Sequence, residues 1–278
     1  MAFSFLNKLS NLQQRFAIGL PGAALIVFLI CFSEWTYFFL FFSICFFALR
    51  EFYNLIQQAG IKPNKIFGIT SGMLIFTLLF LLEKKVLTFN YYYLLFPFLF
   101  LVFLIELFKS NDKPFVNIAF AFLGNIYIAV PFALMNVSAF ISGEYNFRIV
   151  LGILLLLWAN DVGGYFFGKY FGKNPLFPRV SPKKTWEGAI GGALFTCAFS
   201  ILLHYWFSST LDTLHWLVLS IIIVVAGSYG DLVESMLKRS LALKDSAQSI
   251  PGHGGFLDRF DGLLLASPFV AAFLKLVV

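Results

Sequence analysis

Nine long runs of apolar residues constrain this sequence more than any other feature. A run of about 20 apolar residues is long enough for a helix to cross the hydrocarbon core of a bilayer, and a helix satisfies its own backbone hydrogen bonds there. Over 278 residues the chain is 60% hydrophobic and 12% charged, which excludes a soluble globular protein with an ordinary polar surface. We therefore predict an all-α, polytopic integral membrane protein with transmembrane helices at 16–32, 36–56, 66–83, 91–108, 115–141, 149–170, 188–207, 214–237 and 261–277.

The two halves of the chain differ in their polar content. No internal repeat and no low-complexity linker divides the sequence, so we expect one membrane domain, 1–278. The loops in 1–150 are short and carry few polar groups, which indicates a scaffold, whereas 151–278 is expected to hold the catalytic spans and cytoplasmic loops. Within the first half, Glu51 and Glu106 are expected to lie at the membrane interface or to pair with neighbouring residues.

Lysine and arginine residues indicate how the helices are oriented. If the N terminus is cytoplasmic, all but four of these 20 residues fall on the cytoplasmic side, the exceptions being Lys84, Lys85, Arg148 and Lys275. Cytoplasmic loops are enriched in lysine and arginine, so we predict a cytoplasmic N terminus and, for a bacterial source, location in the inner (plasma) membrane. The net charge of +6 then reflects topology and attraction to anionic membrane lipids rather than a nucleic-acid partner.

The stretch from Asp231 to Asp261 concentrates charge between two predicted helices. Because a charged side chain at the centre of a bilayer is costly, this grouping indicates a functional site on the cytoplasmic side. Asp231, Glu234 and Lys238 are three and four residues apart, which places them on one helix face. The stretch carries five acidic and four basic residues, namely Asp231, Glu234, Asp245, Asp258, Asp261, Lys238, Arg239, Lys244 and Arg259.

This stretch could bind a metal ion. Two carboxylates from separate helices, Asp231 and Asp258, could hold Mg2+ between them, because hard divalent ions prefer carboxylate and phosphate oxygens. The glycine-rich segment 252–255 has a backbone that can approach a ligand closely, and His253 within it is interpreted as a hydrogen-bonding loop residue rather than a metal ligand. Three further carboxylates are candidates for ligating, for orienting a ligand or for pairing with a cation, namely Glu234, Asp245 and Asp261.

Segment 177–192, which is predicted to be a loop that leads into a helix, is a candidate phosphate site. Lys183 and Lys184 bring two cations together, and Thr185 and Glu187 open a helix. Free backbone N–H groups and the helix dipole attract phosphate at such an N terminus, and side-chain cations and hydroxyls add to the attraction. From this segment alone, the two lysines are better explained as topology signals that contact lipid headgroups.

Asp161 is a carboxylate inside an apolar run. Gly164 and Gly168 follow it one helical turn apart, a spacing that lets two helices approach closely. An intramembrane carboxylate either forms a polar bond between helices or belongs to an active site. The sequence leaves both roles open for Asp161.

Taken together, these segments resemble one family. The run from Ser235 to Asp261 resembles the C-terminal signature of phosphatidate cytidylyltransferases, also called CDP-diacylglycerol synthases, and the segments Ser181–Gly188 and around Asp161 resemble the same family. The resemblance implies a membrane enzyme that converts CTP and phosphatidic acid into CDP-diacylglycerol and pyrophosphate. It also implies a requirement for Mg2+, an additional monovalent cation such as K+, and a homodimer.

The resemblance further implies roles for individual residues. Asp231 and Asp258 would bind the metal, and Lys238 and Arg239 would act with them on the substrate phosphates. Attack of one phosphate on another is opposed by charge repulsion, so positioning and cations would supply most of the catalysis. The residues expected to bind substrate are Ser181, Lys183, Lys184, Thr185, Lys244, His253 and Arg259, and the secondary candidates are Asp161, Glu187, Glu234, Asp245 and Asp261.

Other classes of function remain alternatives. A CTP-dependent kinase of polyprenols or other lipid alcohols must deprotonate a hydroxyl, for which His253 or Asp161 would be candidate bases. A transporter would use Asp161 and Asp231 as coupling sites near the bilayer midplane, although the charges lie in one half of the chain with no matching inverted half. A CDP-alcohol phosphotransferase is disfavoured because the sequence lacks its aspartate-rich pattern.

Overall fold

The computed structural model describes residues 11–109, 112–207, 210–241 and 255–278, with side chains from residue 19 onward. Three predicted site residues, Lys244, Asp245 and His253, lie outside the described residues. The described chain is almost entirely helical, which confirms the all-α prediction. Its α-helices are α1 (Asn11–Phe32), α2 (Glu34–Gln58), α3 (Lys65–Glu83), α4 (Leu95–Leu107), α5 (Pro114–Gly124), α6 (Val130–Ala139), α7 (Phe147–Phe171), α8 (Trp186–Trp206), α9 (Thr213–Ser240) and α10 (Leu257–Val277).

Eight segments of the described chain are long and apolar enough to cross a membrane. They coincide within a few residues with eight of the nine predicted spans, so the chain is a multi-pass membrane protein. One of these segments joins a 3-10 helix, Phe89–Leu94, to α4, and another joins α5 to α6 through a π-helical turn, Asn125–Ala129. The first predicted span falls on α1, where Gly19–Phe32 forms a shorter apolar helix.

A β-hairpin precedes α8, where the sequence suggested a loop. Strand β1 (Pro175–Phe177) pairs antiparallel with β2 (Ser181–Thr185). Thr185 has extended backbone angles, and its Oγ1 accepts a hydrogen bond of 3.2 Å from the backbone N–H of Gly188. This is the geometry of a helix N-cap, so the predicted helix start at Thr185 is confirmed.

Helices α7 and α8 pack closely through glycines. A Cβ atom at Gly192 would lie 3.0 Å from the backbone nitrogen of Gly164 and 3.1 Å from the carbonyl oxygen of Asn160. Gly168 and Gly188 face each other one turn further along, where a Cβ atom at Gly168 would lie 3.6 Å from the Cα of Gly188. The small residues that follow Asp161 therefore allow the close helix contact that their spacing predicts.

The apolar core extends through both halves of the chain. Its largest fully buried side chains come from α1, α2, α3, α6 and α9, and include Phe52, Phe76, Phe132 and Trp216. Glu106 of α4 is also buried, with 2% of its surface exposed, and Asn117 of α5 donates a hydrogen bond of 2.6 Å to it. The two halves thus share one core, and Glu106 is covered by protein rather than exposed at the membrane interface.

Candidate active site

A cavity of about 770 Å3 lies between α1, α2, α7, α9 and α10. Part of its lining is charged and part is apolar. The charged residues are Asp161, Lys184, Asp231, Glu234, Lys238, Asp258, Arg259 and Asp261. This set contains most of the site candidates that the structure describes, so most of the sequence-predicted residues come together.

Three carboxylates meet in the charged part of the lining. Asp231 and Glu234 lie one turn apart on α9, Asp261 lies on α10, and one oxygen from each is within 4.8 Å of the other two. The backbones of the two helices touch at Gly230, where a Cβ atom would overlap the carbonyl oxygen of Asp261 and lie 2.7 Å from the Cα of Gly262. This contact between main chains brings the three carboxylates together.

Asp258 lies beside a cation. Its Oδ1 is 2.8 Å from the Nζ of Lys238, and its Oδ2 accepts a hydrogen bond of 3.2 Å from the backbone N–H of Gly255. Lys238 also lies 3.3 Å from the Oε1 of Glu234. The predicted metal pair, Asp231 and Asp258, therefore lines one cavity, but the carboxylates grouped with Asp231 are two that the sequence analysis treated as secondary candidates.

Strand β2 brings Lys184 into the cavity. The Nζ of Lys184 is 2.6 Å from the Oδ2 of Asp231 and donates a hydrogen bond of 3.2 Å to the carbonyl oxygen of Ser228. Of the predicted phosphate-binding cations that the structure describes, three line the cavity, namely Lys184, Lys238 and Arg259. Neighbouring residues of a strand point to opposite faces, so Lys183 points away from the side to which Lys184 points. Among the described residues, Lys183 and Arg239 are exposed and lie outside the cavity lining.

The other predicted site residues near the hairpin, Ser181, Thr185 and Glu187, belong to the hairpin or bond to the backbone beside it. Thr185 caps α8, as described above, and Ser181 begins β2. Glu187 accepts a hydrogen bond of 3.0 Å from the backbone N–H of Lys173, so it holds the chain between α7 and the hairpin. Among the described residues, these three lie outside the cavity lining. Their contacts indicate that they shape the hairpin that carries Lys184.

Asp161 lines the cavity wall that α7 forms. The polar bond between helices comes from the preceding residue, since Asn160 donates a hydrogen bond of 3.2 Å from its Nδ2 to the Oγ of Ser228 on α9. Of the two roles left open by the sequence, the position of Asp161 supports a place in the site.

The apolar part of the lining comes from both halves of the chain, including α1 and α2 of the half interpreted as scaffold. These residues include Gly19, Gly22, Ala23 and Ile26 of α1 and Leu40 and Ile44 of α2. These four α1 residues are separated by three, one and three positions, so they share one helix face, and Leu25 of α1 also contributes to the lining. This helical spacing is the one feature of the sequence that could have indicated the apolar lining. Apolar faces occur on most helices of a membrane protein, however, so the spacing does not identify a cavity.

Glu51 of α2 is buried and bonds to a distant part of the chain. It is 2% exposed, and its Oε2 accepts a hydrogen bond of 2.9 Å from the backbone N–H of Phe256, at the start of α10. The partners are 205 positions apart in the sequence, so this is a tertiary contact that the neighbouring charges do not reveal.

The grouped carboxylates fit a magnesium ion. Three carboxylate oxygens within 4.8 Å of one another offer the hard ligands that Mg2+ prefers, and Mg2+ usually keeps water or phosphate oxygens as its remaining ligands. Lys184 and Lys238 contact this group and offset part of its negative charge. The residues that would hold the ion are Asp231, Glu234 and Asp261.

Comparison with known proteins identifies several relatives that carry the same name. The phosphatidate cytidylyltransferase of Bacillus subtilis is 30% identical over 276 residues, which cover 96% of this chain and 98% of that protein. The proteins of the same name from Haemophilus influenzae and Staphylococcus haemolyticus are 37% and 34% identical, over 58% and 61% of their lengths and over 59% and 58% of this chain. With these two relatives, the matched region is less than two thirds of the relative's length.

A family model extends the match to nearly the whole chain. The model, described as the cytidylyltransferase family, matches residues 13–277, which include every described residue of the cavity lining. The resemblance inferred from the sequence is thereby confirmed, and the chain belongs to the cytidylyltransferase family.

Proposed function

We propose that this chain is a phosphatidate cytidylyltransferase, which joins CTP and phosphatidic acid to give CDP-diacylglycerol and pyrophosphate in phospholipid biosynthesis. The observation that carries the proposal is a single cavity with both a charged and an apolar lining. Phosphatidic acid has the same two parts, an anionic headgroup and acyl chains. The relatives that carry this activity in their names support the same substrates.

The chemical difficulty of this reaction is electrostatic. An oxygen of the lipid phosphate forms a bond to the α-phosphorus of CTP, and the bond from that phosphorus to the oxygen bridging to the β-phosphate breaks. Pyrophosphate leaves with the electron pair. The lipid phosphate is already largely ionised near neutral pH, since the second pKa of a phosphate monoester is about 6, so the attacking oxygen does not depend on a strong general base.

The residues of the cavity suit this task. Lys184, Lys238 and Arg259 bring three cations to the lining, where they can hold phosphates in line and offset charge that develops during transfer. The two lysines contact carboxylates in the structure, and their flexible stems let the ammonium groups turn toward an entering phosphate. A Mg2+ ion bound by the carboxylates would supply further charge neutralisation at the phosphates.

The remaining features of the proposal concern the setting of the reaction. The distribution of lysine and arginine supports a cavity that faces the cytoplasm, where CTP is available. The family resemblance supports a monovalent cation such as K+ beside Mg2+ and assembly as a homodimer. These three features accompany the transfer reaction but are not needed to explain the arrangement of the cavity.

The test uses CTP labelled at different phosphates. Purified protein in mixed micelles is supplied with phosphatidic acid, Mg2+ and CTP that carries the label at either the α- or the γ-phosphate. Cytidylyl transfer puts the α-label on the lipid and releases the γ-label in pyrophosphate. A parallel assay replaces phosphatidic acid with a lipid alcohol, and a γ-labelled lipid formed there, with no α-labelled lipid from phosphatidic acid, would establish a kinase and overturn the proposal.

Two variants, one on α9 and one just before it, link the activity to the cavity. Asp231→Asn removes a carboxylate that contacts Lys184, and we expect the transfer rate to fall by roughly 10²-fold or more, the scale on which one charge-stabilising group acts. Asp212→Asn is the matched control, because Asp212 precedes the first turn of α9 and its side chain is 88% exposed. Equal losses in both variants would place the activity elsewhere.

A further inference from the structure

Glu51 connects the first half of the chain to the helix that carries Asp258. Its Oε2 accepts a hydrogen bond of 2.9 Å from the backbone N–H of Phe256, the residue before α10. The first N–H groups of a helix have no partner within the helix, and a carboxyl group near them is favoured by the helix dipole. Among the described contacts, Phe256 offers no side-chain cap of its own. Glu51 therefore acts as a cap supplied from a different helix.

Two further contacts fix the same junction. Phe47 lies one turn before Glu51 on α2, and its ring stacks on that of Phe256 with centroids 5.0 Å apart and planes 17° from parallel. A Cβ atom at Gly255 would overlap the carboxyl group of Glu51. The carboxyl group can reach the backbone here because residue 255 is glycine. Helix α2 thus contacts both the ring of Phe256, through Phe47, and the main chain of Phe256, through Glu51.

The junction held by Glu51 also holds Asp258. The backbone N–H of Gly255 donates a hydrogen bond of 3.2 Å to the Oδ2 of Asp258, whose other oxygen lies 2.8 Å from the Nζ of Lys238. One short backbone segment is therefore fixed by Glu51 on one side and positions a cavity carboxylate on the other. Glu51 itself is buried and is outside the described lining of the cavity.

We infer that Glu51 is a positioning residue for nucleotidyl transfer: it fixes the backbone at Gly255 and Phe256 and thereby sets the places of Asp258 and Lys238. The inference rests on the proposed function, because positioning has a kinetic consequence only if these two residues serve the reaction. Glu51 acts through the backbone and makes no contact with substrate.

The kinetic experiment compares two equally buried glutamates. Glu51→Ala removes the cap, whereas Glu106→Ala removes a glutamate that is also 2% exposed but bonds to Asn117. Both variants are expected to lose thermal stability. Only Glu51→Ala should lower kcat per folded enzyme, by ~10-fold with the KM for CTP within about twofold, because small displacements of reacting groups affect turnover strongly. Glu51→Gln should recover part of kcat, since its amide oxygen can accept the same hydrogen bond.

Hydrogen exchange provides a readout that does not depend on activity. Backbone amides at the start of α10 should exchange faster in Glu51→Ala than in the wild type and stay unchanged in Glu106→Ala. If the wild type transfers no cytidylyl group, the proposed function fails, and exchange still decides whether Glu51 caps α10. Should Glu51→Ala not fold, Gly255→Ala displaces the same carboxyl group and serves as the second variant.

Two results would overturn the inference. One is a wild-type kcat for Glu51→Ala together with unchanged exchange at the start of α10. The other is a loss of kcat in Glu51→Ala and Glu106→Ala that follows their loss of stability to the same extent, with no recovery in Glu51→Gln. Either result would assign Glu51 a purely structural role.

Discussion

The Nζ of Lys184 lies 2.6 Å from the Oδ2 of Asp231, so a β-hairpin supplies a cation to a carboxylate on α9. Lys183, one residue earlier, is exposed and outside the described lining. We predict that Lys184→Met lowers the rate of cytidylyl transfer by roughly 10²-fold, the scale of losing one charge-stabilising group. Lys183→Met should change it by about twofold at most, because an exposed charge is screened by salt. Initial rates at 0.15 M salt check both variants, and equal losses would contradict the assignment.

Lys238 and Asp258 should behave as one unit. Their side chains are 2.8 Å apart and link α9 to α10. We expect Lys238→Met and Asp258→Asn each to reduce activity strongly and the double variant to lose much less than the sum of the two free energies. The coupling energy from the kcat/KM values should be about 0.5–3 kcal/mol, as for residues in contact. Additive effects would show that the pair does not act together in the reaction.

Magnesium should stabilise the folded protein through the three grouped carboxylates. A ligand present at 100 times its Kd stabilises the state that binds it by about 2.7 kcal/mol, so saturating Mg2+ should raise the Tm of the wild type. Asp261→Asn removes one carboxylate of the group and should reduce this rise. The thermal shift is measured without substrates at constant ionic strength, with Asp212→Asn as the control. A full shift in Asp261→Asn would remove that residue from the metal site.

The contact between α7 and α8 should be sensitive to a single methyl group. A Cβ atom at Gly192 would lie 3.0 Å from the backbone nitrogen of Gly164, whereas one at Gly22 of α1 would meet no described atom within 4 Å. Gly192→Ala is therefore expected to lower the Tm. Gly22→Ala should leave it unchanged or raise it, because alanine stabilises a helix interior by about 0.5–1 kcal/mol relative to glycine. Thermal unfolding in detergent compares the two, and an unaffected Tm for Gly192→Ala would contradict the close packing.

The sequence predicted the helices well because spans of apolar residues encode them directly. It also predicted that Asp231, Glu234 and Lys238 share a face, since a helical period relates nearby positions. It could not decide whether Asp258 or Asp261 approaches Asp231. That choice depends on how α9 and α10 cross, and the crossing is a tertiary contact.

Other features of the site depend on contacts far apart in the sequence. The different positions of Lys183 and Lys184 follow from a strand that was expected to be a loop. The role of Glu51 depends on a partner 205 positions away. The apolar lining depends on which face of α1 meets the rest of the protein. Local pattern therefore identified the charged residues of the lining but not the contribution of α1 and α2 to the cavity.

The contact of α9 with α10 at Gly230 has a mechanical consequence. Helices in a bilayer change their tilt when its thickness changes, and two helices that touch through their main chains can pivot only about the point of contact. Asp231 is adjacent to that point on one helix, and the carbonyl group of Asp261 forms it on the other. Tilting of the helices would move their distant ends through large distances while the carboxylates, close to the pivot, kept their separation.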